Sequence, residues 1–157
     1  MLLGWRSNGI RDARCEVRGA RNDFIDRQFT IMNDFYYKKV DAYNLAKELT
    51  ILIYQRLNNF PQQEHYALCD QIRRAAISIP SNIAEGMGRM SVKERIHFLD
   101  ISYGSLCEVM CQLEISLSLE YITLQEFEEI ESLATRVSQT LFGLKKSLQK
   151  KINNNQD

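Results

Sequence analysis

The chain has 157 residues, 45% of them hydrophobic and 25% charged, with two prolines, seven glycines and 20 basic against 20 acidic side chains. That length suits one domain able to bury a real core, and so little Pro and Gly argues against a loop-rich or all-β design. Zero net charge excludes a polycation acting through bulk charge, so any nucleic-acid or membrane role must come from uneven charge distribution.

Residues 1–33 differ from the rest. Arg6, Arg11, Arg14, Arg18, Arg21 and Arg27 mix with four acids, and apolar residues are scattered without a sustained period. This reads as an N-terminal arm, partly helical or disordered, with Met32 an alternative start. It holds charges but no apolar core of a secretion signal, and no stretch of the chain approaches the ~20 continuous apolar residues of a membrane span. Cys15, Cys69, Cys107 and Cys111 show no CxxC spacing. Without an export signal they read as reduced thiols of a cytoplasmic protein. Cys107 and Cys111 share a helix face at i, i+4, and small buried hydrophobes are expected there rather than two metal ligands.

From about 35 to 59, Ala42, Leu45, Ala46, Leu49, Leu52, Ile53 and Leu57 keep helical spacing, and Asn58, Asn59 and Pro61 break it. A second helix is expected to start near 62–64, with Leu68, Ile72, Ala75, Ile79 and Ile83 on one face. Gly86 and Gly88 should close it through the left-handed conformation of a helix end. Ser91 with Glu94 reads as a capping box opening the third helix, whose core stripe is Ile96, Leu99, Tyr103, Leu106, Met110, Leu113 and Leu117. Thr123 with Glu126 caps the fourth, where Phe127, Ile130, Ala134, Val137, Leu141, Leu144 and Leu148 repeat the spacing. Two long heptad stripes must be buried, and short links make successive helices antiparallel neighbours. The predicted fold is an all-α, antiparallel up-down four-helix bundle over residues 34–152, oligomerising, followed by a polar tail at 153–157.

Pro80 falls inside the second helix. A proline there costs about 3 kcal/mol, because it removes a hydrogen bond and crowds the carbonyl four residues back, that of Ala76. Burial of Ile79 and Ile83 on the same stripe offsets a cost of that size, so a kinked but continuous helix is expected. Ser78, Asn82 and Glu85 share one face at i, i+4, i+7 and are expected to bond partners across the bundle or a subunit contact. Ser81 and Asn82 are placed to bond carbonyls freed by the proline. On the third helix Gly104, Ser102 and Ser105 form a small-residue patch suited to receiving the kinked helix.

Residues 71–122, QIRRAAISIPSNIAEGMGRMSVKERIHFLDISYGSLCEVMCQLEISLSLEYI, resemble a small bacterial four-helix bundle family. Its members include proteins encoded within intervening sequences of large-subunit ribosomal RNA genes. A relative is the accessory variability determinant of diversity-generating retroelements. The resemblance is carried by SIPSNIAEG (78–86) and by GSLCE (104–108), which matches the family's GSL-x-E, and it spans about 35 to 150. It implies a structural motif of Ser78, Pro80, Ser81, Asn82, Glu85, Gly86, Gly104, Ser105 and Glu108. It also implies a homo-oligomer, a pentamer, without enzymatic activity. The retroelement relative, which is distinctly basic, further implies nucleic acid and a reverse transcriptase as partners.

Up-down topology gathers Lys38, Lys39, Arg89, Lys93, Arg95, Lys145, Lys146, Lys150 and Lys151 at one pole, and Glu64, Asp70, Glu114, Glu120, Glu126, Glu128, Glu129 and Glu131 at the other. Acids at the start of the fourth helix and lysines at its end complement the helix dipole. Lys38, Lys39, Lys93 and Arg95 lie near helix starts, where that explanation fails. The expected function is weak, sequence-tolerant RNA or DNA binding at a basic rim, as an accessory to a nucleic-acid process. The alternative is a scaffold for a protein partner. No enzyme and no cofactor are expected. Glu94 and His97 make one Glu-x-x-His, near Glu85, Asp100 and Glu108, but His65 lacks the spacing of the second motif a carboxylate-bridged metal pair needs. Neither a Ser/His/Asp set nor a Walker loop is present.

Overall fold

The computed structural model describes residues 35–153. A single 3-10 turn at Tyr36–Lys39 leads into α1 (Asp41–Leu57), and a second at Gln62–Glu64 precedes α2 (Leu68–Gly88). Helices α3 (Val92–Ser118) and α4 (Leu124–Asn153) complete the described residues, which contain no strand. The N-terminal arm expected over 1–33 lies outside them. So do residues 154–157, whereas Asn153, expected in the polar tail, ends α4.

Each helix packs on its neighbours in sequence, and α1 also packs on α4, closing a four-membered ring. Cross-links fix the directions. Ser102 meets Ile79, and Ser105 meets Ser78, so α2 and α3 run antiparallel. Arg56 near the end of α1 reaches Glu126 and Glu129 near the start of α4. Lys145, late in α4, reaches Asp100, early in α3. The up-down four-helix bundle read from the sequence is the observed fold.

The apolar stripes of α1, α2 and α4 are buried much as their spacing requires. Ala42, Ala46, Leu49, Ile53 and Leu57 from α1 meet Ile72, Ile79 and Ile83 from α2, and Ile130, Val137 and Leu141 from α4. Leu45, Leu52, Leu68 and Leu144 lie half-buried at the margin of this core. In α3 the stripe is displaced. Leu99, Leu106 and Leu113 are buried as expected, but Ser102, Val109 and Ser116 fill the alternate positions, while Met110 and Leu117 are half-buried and Tyr103 is exposed. Small hydroxyl side chains let α2 and α3 approach closely, and that approach turns the bulkier positions toward the flank.

Helix α2 continues through Pro80. The missing proline N–H would normally serve the Ala76 carbonyl; the Thr50 hydroxyl of α1 donates to that carbonyl at 2.9 Å, sharing its proton with the Ala46 carbonyl at 2.8 Å. The expected donors act elsewhere: Ser81 donates to the Ile77 carbonyl and Asn82 to the Ser78 carbonyl, each at 2.8 Å.

Two helix ends also differ from the sequence reading. Gly86 does not take the left-handed conformation. It is buried where a Cβ would lie 2.8 Å from the Phe98 Cβ and 3.3 Å from the Arg95 carbonyl oxygen. Ser91 adopts the extended backbone of an N-cap, but its side chain makes no capping hydrogen bond. The Thr123–Glu126 box does form: the Glu126 N–H donates to the Thr123 hydroxyl at 3.2 Å, and the Thr123 N–H to the Glu126 carboxylate at 2.9 Å. These bonds, chiefly that from the Thr123 backbone, hold the Glu126 carboxyl below its ordinary range, and nearby Arg56 helps.

Candidate nucleic-acid interface

The polar motif of α2 and α3 is a packing device. Ser78 and Ser105 hydroxyls lie 2.8 Å apart, the Asn82 amide donates to the Ser78 hydroxyl at 2.9 Å, and the Ser102 hydroxyl donates to the Ile79 carbonyl at 2.9 Å. Ser102 and Ser105 thus receive α2 as their size suggested. Gly104 does not: it is exposed, and a Cβ there would meet nothing within 4 Å. Glu85 and Glu108 also leave the seam. Both are exposed, Glu85 paired with Arg89 one turn on and Glu108 accepting from Gln112 at 3.1 Å.

The thiols divide in the same way. Cys69 is buried, and burial pushes its thiol pKa up, whereas Cys107 and Cys111 are exposed rather than core as their size had suggested. Cys15 falls outside the described residues. Glu94 and His97 are both exposed, and no group of three or more His, Cys, Asp or Glu side chains is placed to hold a metal among the described residues.

The nine basic residues separate into paired and available groups. Arg89 is bound to Glu85 and lies 4.8 Å from the centre of the Phe98 ring. The Arg95 side chain donates to the Arg89 carbonyl at 2.7 Å, bracing the α2–α3 corner. Lys145 is held by Asp100. Lys39, Lys93, Lys146, Lys150 and Lys151 are exposed and have no carboxylate partner among the described residues. The Lys145–Asp100 link sets their level along the bundle. Lys93 lies seven residues back along α3, and Lys146, Lys150 and Lys151 run forward along antiparallel α4, so they extend toward the same end. Lys38 and Lys39 stand in the turn before α1, and the Lys38 carbonyl accepts from the Asn44 amide at 3.1 Å.

The acidic end is tied together more tightly. Arg56 binds Glu126 and Glu129, the Tyr121 hydroxyl donates to Glu64 at 3.3 Å, and Asp70 pairs with Arg73 and Arg74. The Arg56 guanidinium is raised above its ordinary pKa, first by its bond to Glu129.

Two aromatic side chains beside the basic segment do not stand out in the sequence. Spacing puts Tyr103 in the core stripe, and Phe142 follows Leu141 and reads as its neighbour. Tyr103 is 49% and Phe142 70% exposed, and both line a cleft of about 410 Å³ between α3 and α4, floored by Leu99 and Leu141. The available signal is phase: Phe142 stands one position off its helix's stripe.

Residues 38–143 match the family described as 23S rRNA-intervening sequence protein. No curated protein matches the chain. Among solved structures, the chain is similar to a protein of unknown function from the S23 ribosomal protein family of Bacteroides thetaiotaomicron VPI-5482, with a TM-score of 0.61 and 28% identity. The likeness covers 67% of this chain and 98% of that one. No helix among the described residues is long and apolar enough to cross a membrane.

Proposed function

The chain belongs to the 23S rRNA-intervening sequence protein family, and from that premise we propose that it is a non-enzymatic, cytoplasmic, oligomeric bundle that binds RNA or DNA weakly through its basic end. The carrying observation is that Lys39, Lys93, Lys146, Lys150 and Lys151 are exposed at one end without carboxylate partners among the described residues. Unpaired cations gathered on one rim attract a phosphate backbone and displace its counterions, without reading sequence. Oligomerisation multiplies that rim, so several weak contacts act on one strand. Arg89 and Lys145 contribute little, since Glu85 and Asp100 already neutralise them.

A titration of a fluorescent single-stranded RNA against salt tests the reading. Binding at 50 mM salt should weaken steeply as salt rises. The triple variant Lys146→Glu/Lys150→Glu/Lys151→Glu should abolish most of it and flatten the log–log salt slope by about 2, since each phosphate neutralised by a lysine adds roughly 0.7. Undetectable binding at low salt, or binding unchanged in the triple variant, overturns the rim in favour of a scaffold for a protein partner. Light scattering on the full chain measures the oligomer number, expected to be five.

A further inference from the structure

We propose that the α3–α4 cleft holds an unpaired base, so that the strand recognised by the basic end is single-stranded. This rests on the rim reading above and specifies its ligand. The cleft opens beside the basic segment of α4 and is mainly apolar, with Tyr103 and Phe142 at its sides. Neither ring is engaged by another aromatic among the described residues. Two large, outward aromatic faces over a greasy floor are costly to leave in water, and a flat heteroaromatic ring covers both. Bases in a duplex are stacked and paired, so only an unpaired one can enter.

The rim of the cleft supplies the other half of the recognition. Asp100, Gln139 and Ser138 border it with acceptors and donors suited to a base edge, and Lys145 sits against Asp100. Lys146 stands one residue further along α4, exposed and unpaired, within reach of an adjoining phosphate. The Lys145–Asp100 pair leaves the slot itself without net charge, while Lys146 outside it is unpaired, which favours a base inside and the phosphate outside. On the far side of α4, a second groove is lined by Tyr36 and Lys39 and shares Gln139 with the first. Gly143, next to Phe142, lines this second groove, and its missing side chain leaves open space. A strand can therefore cross α4 over Gly143, with one base against Phe142 and the next against Tyr36.

The test compares affinities of the full-length protein for a mixed-sequence single-stranded RNA, the same strand with abasic sites, and its duplex. Phe142→Ala should weaken the intact single strand roughly five- to a hundredfold, the range of one lost base stack, and leave the abasic strand and the duplex unchanged. Phe142 is 70% exposed, so the variant should melt with the parent. Gly143→Gln, which keeps both aromatics, should weaken long strands and spare a mononucleotide. If the parent binds all three ligands equally and Phe142→Ala changes none, the cleft proposal fails while the rim stands. If the parent binds none of them, both fail together.

Discussion

The hydroxyl of Thr50 donates to the Ala76 carbonyl, the one acceptor in α2 whose own helical donor Pro80 has removed. A side chain from a neighbouring helix thus completes the backbone ladder of another. The pair explains how a proline sits mid-helix in a bundle without leaving a bare carbonyl in the interior. Thr50→Val should cost about 1–3 kcal/mol, because it preserves shape and orphans the acceptor. In Pro80→Ala the restored N–H makes Thr50 redundant, so the same valine substitution should then cost much less. Urea midpoints of the four proteins in this cycle measure the coupling, and additive effects would disprove it.

The glycines should respond in opposite directions. Gly86→Ala places a methyl 2.8 Å from the Phe98 Cβ, and overpacking of this kind costs about 1–3 kcal/mol despite the better helix propensity of alanine. Gly104→Ala meets nothing and should stabilise by about 0.5–1 kcal/mol. Thermal melts of the two variants should shift to opposite sides of the parent.

Glu120 has φ 58°, the left-handed conformation, at the end of α3. Its N–H donates to the Leu117 carbonyl at 3.0 Å and the next N–H, from Tyr121, to the Ser116 carbonyl at 2.9 Å, the paired bonds of a Schellman cap. Glycine takes this conformation without the Cβ clash. Glu120→Gly should therefore raise stability by about 0.5–1 kcal/mol, an unusual outcome for adding glycine, and chemical denaturation reads it directly.

Acid should loosen the end where α1 meets α4. The Glu126 carboxyl titrates below its ordinary 4.5 in the folded chain, so the unfolded chain takes up its proton first as pH falls. Its contribution is complete above about pH 4.5 and is lost as pH drops through the lowered folded value. Glu126→Gln removes this proton uptake, so the stability gap between parent and variant should narrow continuously below pH 4.5. Equal slopes for both proteins in that window would show that the cap carries no linkage.

The bundle is legible because α1, α2 and α4 announce their buried faces with large aliphatics at an unbroken period. Thr123 and Glu126 are equally plain, since both halves of the capping box form. In α3 the same reasoning favours Tyr103 and Met110 over Ser102 and Val109, because hydrophobicity ranks a serine as polar while a close helix crossing ranks it as small. Two overlapping faces that share Leu99, Leu106 and Leu113 give no basis for choosing until the partner's position is known. The same holds for Gly86, whose value is the room it leaves for Phe98. The basic end is readable from connectivity alone, but not which cations Glu85 and Asp100 neutralise, since those pairings depend on rotamers. Phe142 differs: the stripe through Leu141 and Leu144 already sets it off the buried face, and what the sequence does not show is that it shares a cleft with Tyr103.

The hydroxyl contacts between α2 and α3 act as a register lock. A shift of one helical turn would break the Ser78–Ser105 and Ser102–Ile79 bonds together. Only three residues separate α2 from α3, so loop closure there is entropically cheap. A hairpin both quick to close and unforgiving of misalignment is suited to nucleate folding, with α1 and α4 condensing onto an already aligned template.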